Sequence, residues 1–162
     1  MTDTAPAPAG NRVFLVVVDE TEEMQAALRY ACARARQTGG KVALLRVIEP
    51  AEFQHFATIG NLMRAEARQD AEELLQRVAA EVNECSGQLP VLYVREGSVR
   101  DELLRLIDEE PTISVLVLAA DPGAGGPGPL ISALTGKFLS RLRIPLTIVP
   151  GNLPDEDLAA IT

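Results

Sequence analysis

VLAADPGAGGPGPLISALTGK, residues Val117–Lys137, runs from an apolar strand-like segment into a helix-like one through Gly123, Gly125, Gly126 and Gly128, set among Pro122, Pro127 and Pro129. Glycines directly after a strand and before a helix let backbone N–H groups approach a phosphate closely. The unit matters for the fold because the same order, strand then helix, recurs along the chain.

Upstream, RVFLVVVDE is apolar almost without interruption, as a strand covered by helices on both faces must be. A helix follows from Thr21, with Thr21 as its cap, Glu22 and Glu23 at its positive end, and Met24, Ala27, Leu28, Ala31 and Ala35 on one face. Gly39 and Gly40 stop it. KVALLRVIEP is a second strand closed by Pro50, and AEFQHFATIGN a connecting loop. A long helix from Leu62 to about Cys85 carries Met63, Ala67, Ala71, Leu74, Leu75, Val78, Ala79 and Val82 as its apolar stripe. LPVLYVREG is a third strand, and SVRDELLRLIDEE a helix capped by Ser98 with Asp101 three residues on. ISVLVLAA is the fourth strand, LISALTGKFLSRL the fourth helix, and IPLTIVP a short fifth strand. Strict alternation of this kind predicts a doubly wound α/β sheet with right-handed crossovers, its ligands beyond the carboxyl ends of the strands.

The 162 residues suit one domain with one core. Residues 1–11 read as a tail, 12–150 as the domain, and 151–162 as an acidic C-terminal tail or one short helix after Pro154. Hydrophobic residues make up 47% and charged ones 23%, ordinary values for a globular protein. A net charge of -8 argues against a nucleic-acid partner, which needs clustered Lys and Arg. The longest apolar runs are too short to span a bilayer, and a cytoplasmic protein is expected. Cys32, among Ala31 and Ala35, reads as a small packing residue; Cys85 reads as an accessible thiol near a helix end with nothing to activate it.

Three separated stretches, VVVDETEEMQAALRYACARARQTGGKVALLRVIEP, VREGSVRDELLRLIDEE, and SVLVLAADPG with KFLSRLRIPLTIVP, resemble the universal stress protein family in order and spacing from Val13 to Val149. The resemblance implies a flavodoxin- or Rossmann-like sheet of five parallel strands, ordered 3-2-1-4-5, with helices on both faces. It also implies a homodimer through the fifth strands, here centred on Leu146 to Val149. A short edge strand needs such cover.

Nucleotide-binding members of that family carry G-x-x-G-x(9)-G-[ST] across the fourth strand and helix. With Lys137 and Pro145 setting the register, Ala119, Pro122, Ser132 and Ala133 stand at the four motif positions. Pro122 is the heaviest change, since it has no N–H to donate. Gly123 compensates only if the loop slips by one residue, and Ser132 or Thr135 only by offering a hydroxyl. Asp19 and Val47 match the positions that meet ribose or adenine, Val47 through its backbone. The candidate nucleotide site is therefore Asp19, Val47, Ala119, Gly123, Ser132 and Thr135, for ATP or AMP.

No catalytic constellation assembles around His55, the single histidine, and the acids Asp70, Glu72 and Glu73 read as a solvated helix face, not a metal site. A phosphoacceptor module fails because the third strand ends in VREG, with no Asp. The reading is a non-catalytic, dimeric stress-response or signalling module without tight ATP binding. The alternative is an ATP- or AMP-binding stress protein with slow or no ATPase activity.

Overall fold

Strand β1, Val13–Val17, lies at the centre of the sheet because its side chains are apolar on both faces. In the computed structural model, which describes residues 12–50 and 57–162, Phe14, Val16 and Val18 pack toward one helical layer and Leu15 and Val17 toward the other. The elements alternate as expected: β1, α1 (Met24–Thr38), β2 (Lys41–Ile48), α2 (Ala57–Ser86), β3 (Val91–Glu96), α3 (Val99–Glu109), β4 (Ile113–Ala120), α4 (Pro129–Thr135), β5 (Leu146–Pro150) and α5 (Asp155–Ile161). All four strand pairings are parallel, and the order is β3-β2-β1-β4-β5.

Helices α1 and α2 cover one face with Ala27, Leu28, Ala31, Leu75, Val78 and Val82, over Leu44 and Val117. Helices α3 and α4 cover the other with Leu103, Leu106, Ile107, Ile131 and Leu134, over Leu45, Leu116 and Leu118. The β1/β4 register shifts between Val13 and Phe14, and there the Ser114 hydroxyl accepts the Val13 N–H at 3.2 Å. That hydrogen bond satisfies a donor which the bulge removes from the ladder.

Helix ends differ from expectation where side chains found other partners. Thr21 does not cap α1: it donates its N–H and hydroxyl to Asp19, and α1 begins only at Met24. Helix α2 starts at Ala57, five residues before the expected Leu62, and runs through the buried Gly60, an instance of packing overriding propensity. Met63, placed on its apolar stripe, is exposed, and the buried stripe starts at Ala71. His55 and the rest of 51–56 lie outside the described residues, as do 1–11. Helix α4 ends at Thr135, because Gly136 leaves helical geometry, and a separate 3-10 turn, Leu139–Arg141, leads to β5. Ser98 caps α3 as expected, accepting the Asp101 N–H.

Residues 151–162 hold a helix, not a loose tail. Leu158 of α5 is buried, and Arg29 on α1 pairs with Asp155 at 2.6 Å. Gly151 makes the turn possible: its N–H donates to the Ala120 carbonyl at 2.9 Å, and a Cβ there would run into that oxygen and into Glu23 Cβ. Gly151→Ala is expected to cost about 2 kcal/mol, from overpacking between two backbones that cannot yield, read as a lower urea midpoint. An unchanged midpoint would show the turn has room.

Cys32 and Cys85 correct the sequence reading more sharply. Cys32 is buried at 1% exposure, as expected, but it is disulfide-bonded to Cys85 across the α1–α2 contact, with Cα atoms 5.9 Å apart. That separation is ordinary for a disulfide. The two positions are 53 apart in sequence, so only the packing of α2 on α1 brings them together.

Candidate functional site

At the carboxyl ends of β1, β2 and β4 the sheet opens into a cavity of about 460 Å³, where α1 and α3 depart on opposite faces. Its position is the switch in strand order between β1 and β4, and its size is that of a small-molecule cleft. Of the expected site residues, Asp19, Val47 and Ala119 line it. Gly123, Ser132 and Thr135 do not line it; all three are exposed on the loop and helix beyond.

Asp19 stands at the end of β1, half-buried. Its Oδ1 accepts the Thr21 N–H at 2.9 Å and the Thr21 hydroxyl, so the carboxylate shapes the β1–α1 turn as well as facing the cavity. Val47 is buried on β2, aligned with Arg95 of β3. Past the strand ends, the Gly97 N–H donates to the Ile48 carbonyl at 2.9 Å, which brings the start of α3, with Ser98 and Arg100, onto the cavity wall.

Two backbone donors of the glycine loop are used within the loop. Asp121 Oδ1 accepts the Gly123 N–H at 2.8 Å, and the Asp121 N–H donates to the Pro127 carbonyl at 3.2 Å. Pro122, Pro127 and Pro129 have no N–H. Gly126 and Gly128 adopt φ of 93° and 109°, conformations that glycine alone takes readily, while a Cβ at Gly125, Gly126 or Gly128 would meet nothing within 4 Å. Gly126 and Gly128 thus make the turns of the loop, and Gly128 also lines the cavity. In α4, the Thr135 hydroxyl donates back to the Ile131 carbonyl at 2.7 Å, and Ser132 is exposed off the cavity while Ala133 lines it. Of the four motif positions, Ala119 and Ala133 line the cavity, Pro122 has no N–H and Ser132 is exposed off it, while Gly128 and Leu130 at the start of α4 also reach the wall.

The cavity carries charges of both signs. The carboxylates of Asp19, Glu23 and Glu49 line the cavity. Glu23 adjoins Gly151, which follows β5, and so it sits on the same side as the loop after β4. Two guanidiniums, Arg46 and Arg100, lie on the other side of β1 and were not singled out from the sequence. Arg46 donates from Nη1 to the Val18 carbonyl at 3.3 Å, bridging β2 to the end of β1, and its buried Nε has no partner among the described residues. The one signal for it was a lone charge inside the apolar run KVALLRVI. Arg100 donates to Asp101 at 2.9 Å and stacks 4.0 Å over the Phe138 ring, a cation–π contact. That hydrogen bond holds the Asp101 carboxyl below its ordinary pKa. Both arginines are thus held by protein partners.

A model of the universal stress protein family matches residues 10–150. Among solved structures, the chain is similar to the universal stress protein UspA from Lactobacillus plantarum, with a TM-score of 0.73 and 17% identity, over 87% of this chain and 99% of that one. It is similar to a universal stress protein family member from Burkholderia pseudomallei, with a TM-score of 0.65 and 16% identity, over 90% and 99% of the two chains. A third is a universal stress protein in complex with cAMP, with a TM-score of 0.60 and 14% identity, over 87% and 98%. At these identities the structures speak for the fold. No curated protein matches the sequence.

Proposed function

The chain belongs to the universal stress protein family, and from that premise we propose that it is a non-catalytic module of stress response or signalling that does not hold ATP tightly. The carrying observation is the Gly123 N–H, which donates to Asp121 instead of facing the cavity. Prolines at 122, 127 and 129 remove three backbone donors from the loop, and Glu23 on the loop side would repel a triphosphate. The module works in the cytoplasm; no helix among the described residues is long and apolar enough to cross a membrane. It acts as a homodimer through the outer edge of β5, around Leu146 to Val149, where a strand with one unpaired side invites pairing with its copy.

A second reading, an ATP- or AMP-binding protein with slow or no ATPase activity, keeps support from the cavity itself. Asp19 and Val47 line its β1 and β2 walls, the sides that would meet ribose and adenine, and one structural relative is a complex with cAMP. The two readings separate on repair of the loop. Ala119→Gly, Pro122→Gly, Ser132→Gly and Ala133→Ser together are expected to strengthen ATP binding by at least about tenfold, some 1.4 kcal/mol, in calorimetric titration. Equal affinity before and after repair would contradict the account of why binding is weak.

A further inference from the structure

The disulfide between α1 and α2 is asymmetric: Cys32 is buried, whereas Cys85 is exposed at the end of α2. Both cysteines border a second cavity, of about 520 Å³, between α1, the end of α2 and α5. The α1 side of that cavity carries Arg29, Arg36 and Gln37. Arg29 is paired with Asp155, but the Arg36 side chain makes no ion pair or hydrogen bond among the described residues. An open cavity with an accessible disulfide sulfur and an uncommitted guanidinium is matched by a small thiol that also bears a carboxylate.

We propose that Cys85 is a thiolation site, where a small carboxylate-bearing thiol docks against Arg36 and exchanges with the Cys32–Cys85 disulfide. The thiolate attacks the Sγ of Cys85, the exposed residue of the pair. The Cys32–Cys85 bond breaks, its electron pair leaves on Cys32 Sγ, which takes a proton from solvent, and a mixed disulfide forms at Cys85. Return attack by the Cys32 thiolate expels the small thiol and restores the bond; attack by a second small thiol on the adduct releases the Cys85 thiol and a small-molecule disulfide. No electron acceptor beyond these sulfurs is needed. The exchange unties the end of α2 from the middle of α1, so the stability of the α1–α2 layer follows the thiol balance around the protein.

The test uses the full chain purified without reductant. Its disulfide is opened with reduced glutathione or, separately, with uncharged 2-mercaptoethanol, and the loss of the bond is followed in acid-quenched samples by peptide mass mapping. Arg36→Ala is expected to slow opening by glutathione about fivefold, the loss of one partly exposed ion pair, and to leave opening by 2-mercaptoethanol unchanged. In Cys32→Ala, which has no resolving thiol, oxidised glutathione should leave one tripeptide on Cys85. Equal slowing with both thiols, no slowing with either, an adduct on Cys32 in the wild-type protein, or two free thiols in the untreated protein would each overturn the proposal. Should Cys32→Ala fail to fold, the rates of the wild-type protein and of Arg36→Ala with the two thiols decide alone.

Discussion

Reduction of the Cys32–Cys85 bond lowers the melting temperature by about 10 °C. The bond ties residues separated by 53 positions, and in the chain-entropy account a loop of that length restrains the unfolded chain by about 4 kcal/mol. For a chain of 162 residues each kcal/mol corresponds to roughly 2–4 °C. Cys85→Ser is the cleaner variant, since Cys85 is exposed and its replacement leaves no cavity in the core. Melting curves with and without a phosphine reductant should differ for the wild-type protein and coincide for Cys85→Ser. Coincident curves for both would mean that the tether adds nothing to stability.

Ile148→Lys dissociates the proposed dimer. Ile148 is 42% exposed on β5, whose inner edge is hydrogen-bonded to β4 and whose outer edge has no strand beside it in the single chain. Lysine at an exposed strand position costs the monomer little, but pairing about a two-fold axis brings two like charges close together. Juxtaposed like charges cost several kcal/mol, so the dissociation constant should rise by more than about a hundredfold in sedimentation equilibrium. The neighbouring Val149 is buried in the α1–α2 layer and would be a poor probe, because its loss would damage the core first. A wild-type protein that sediments as a monomer at high concentration would remove the β5 pairing from the account.

The sheet was legible in the sequence because each strand had to satisfy both helical layers at once, which leaves runs such as VFLVVV and VLVLAA with no polar interruption. Segment ends were less legible, because they depend on which partner a polar side chain finds. Thr21 reads as a helix cap until Asp19 is seen to accept both its N–H and its hydroxyl. LISALTGKFLSRL reads as one helix because the break at Gly136 is a backbone event with a weak signal in composition. The disulfide was not legible at all, since it depends on the angle at which two distant helices meet. In the cleft, Asp19, Val47 and Ala119 could be placed by register alone. Gly123 could not, because the same residue can face a ligand or close a turn on Asp121, and only the fold distinguishes these. Arg46 and Arg100 escaped notice for a related reason: the wall they build comes from β2 and α3, which sequence order keeps far from the glycine loop.

The proposed function requires that the cleft does not hold a triphosphate tightly. Melting the protein in millimolar magnesium ATP tests this most directly, because a ligand stabilises the folded state by RT ln(1 + [L]/Kd). With the Gly123 N–H engaged by Asp121 and Glu23 on the loop side, the predicted rise is under about 1 °C, as for a dissociation constant no tighter than the ATP concentration. A rise of about 5 °C or more would need a ligand some tens of times above its dissociation constant, and would contradict the claim that the loop does not hold phosphate tightly.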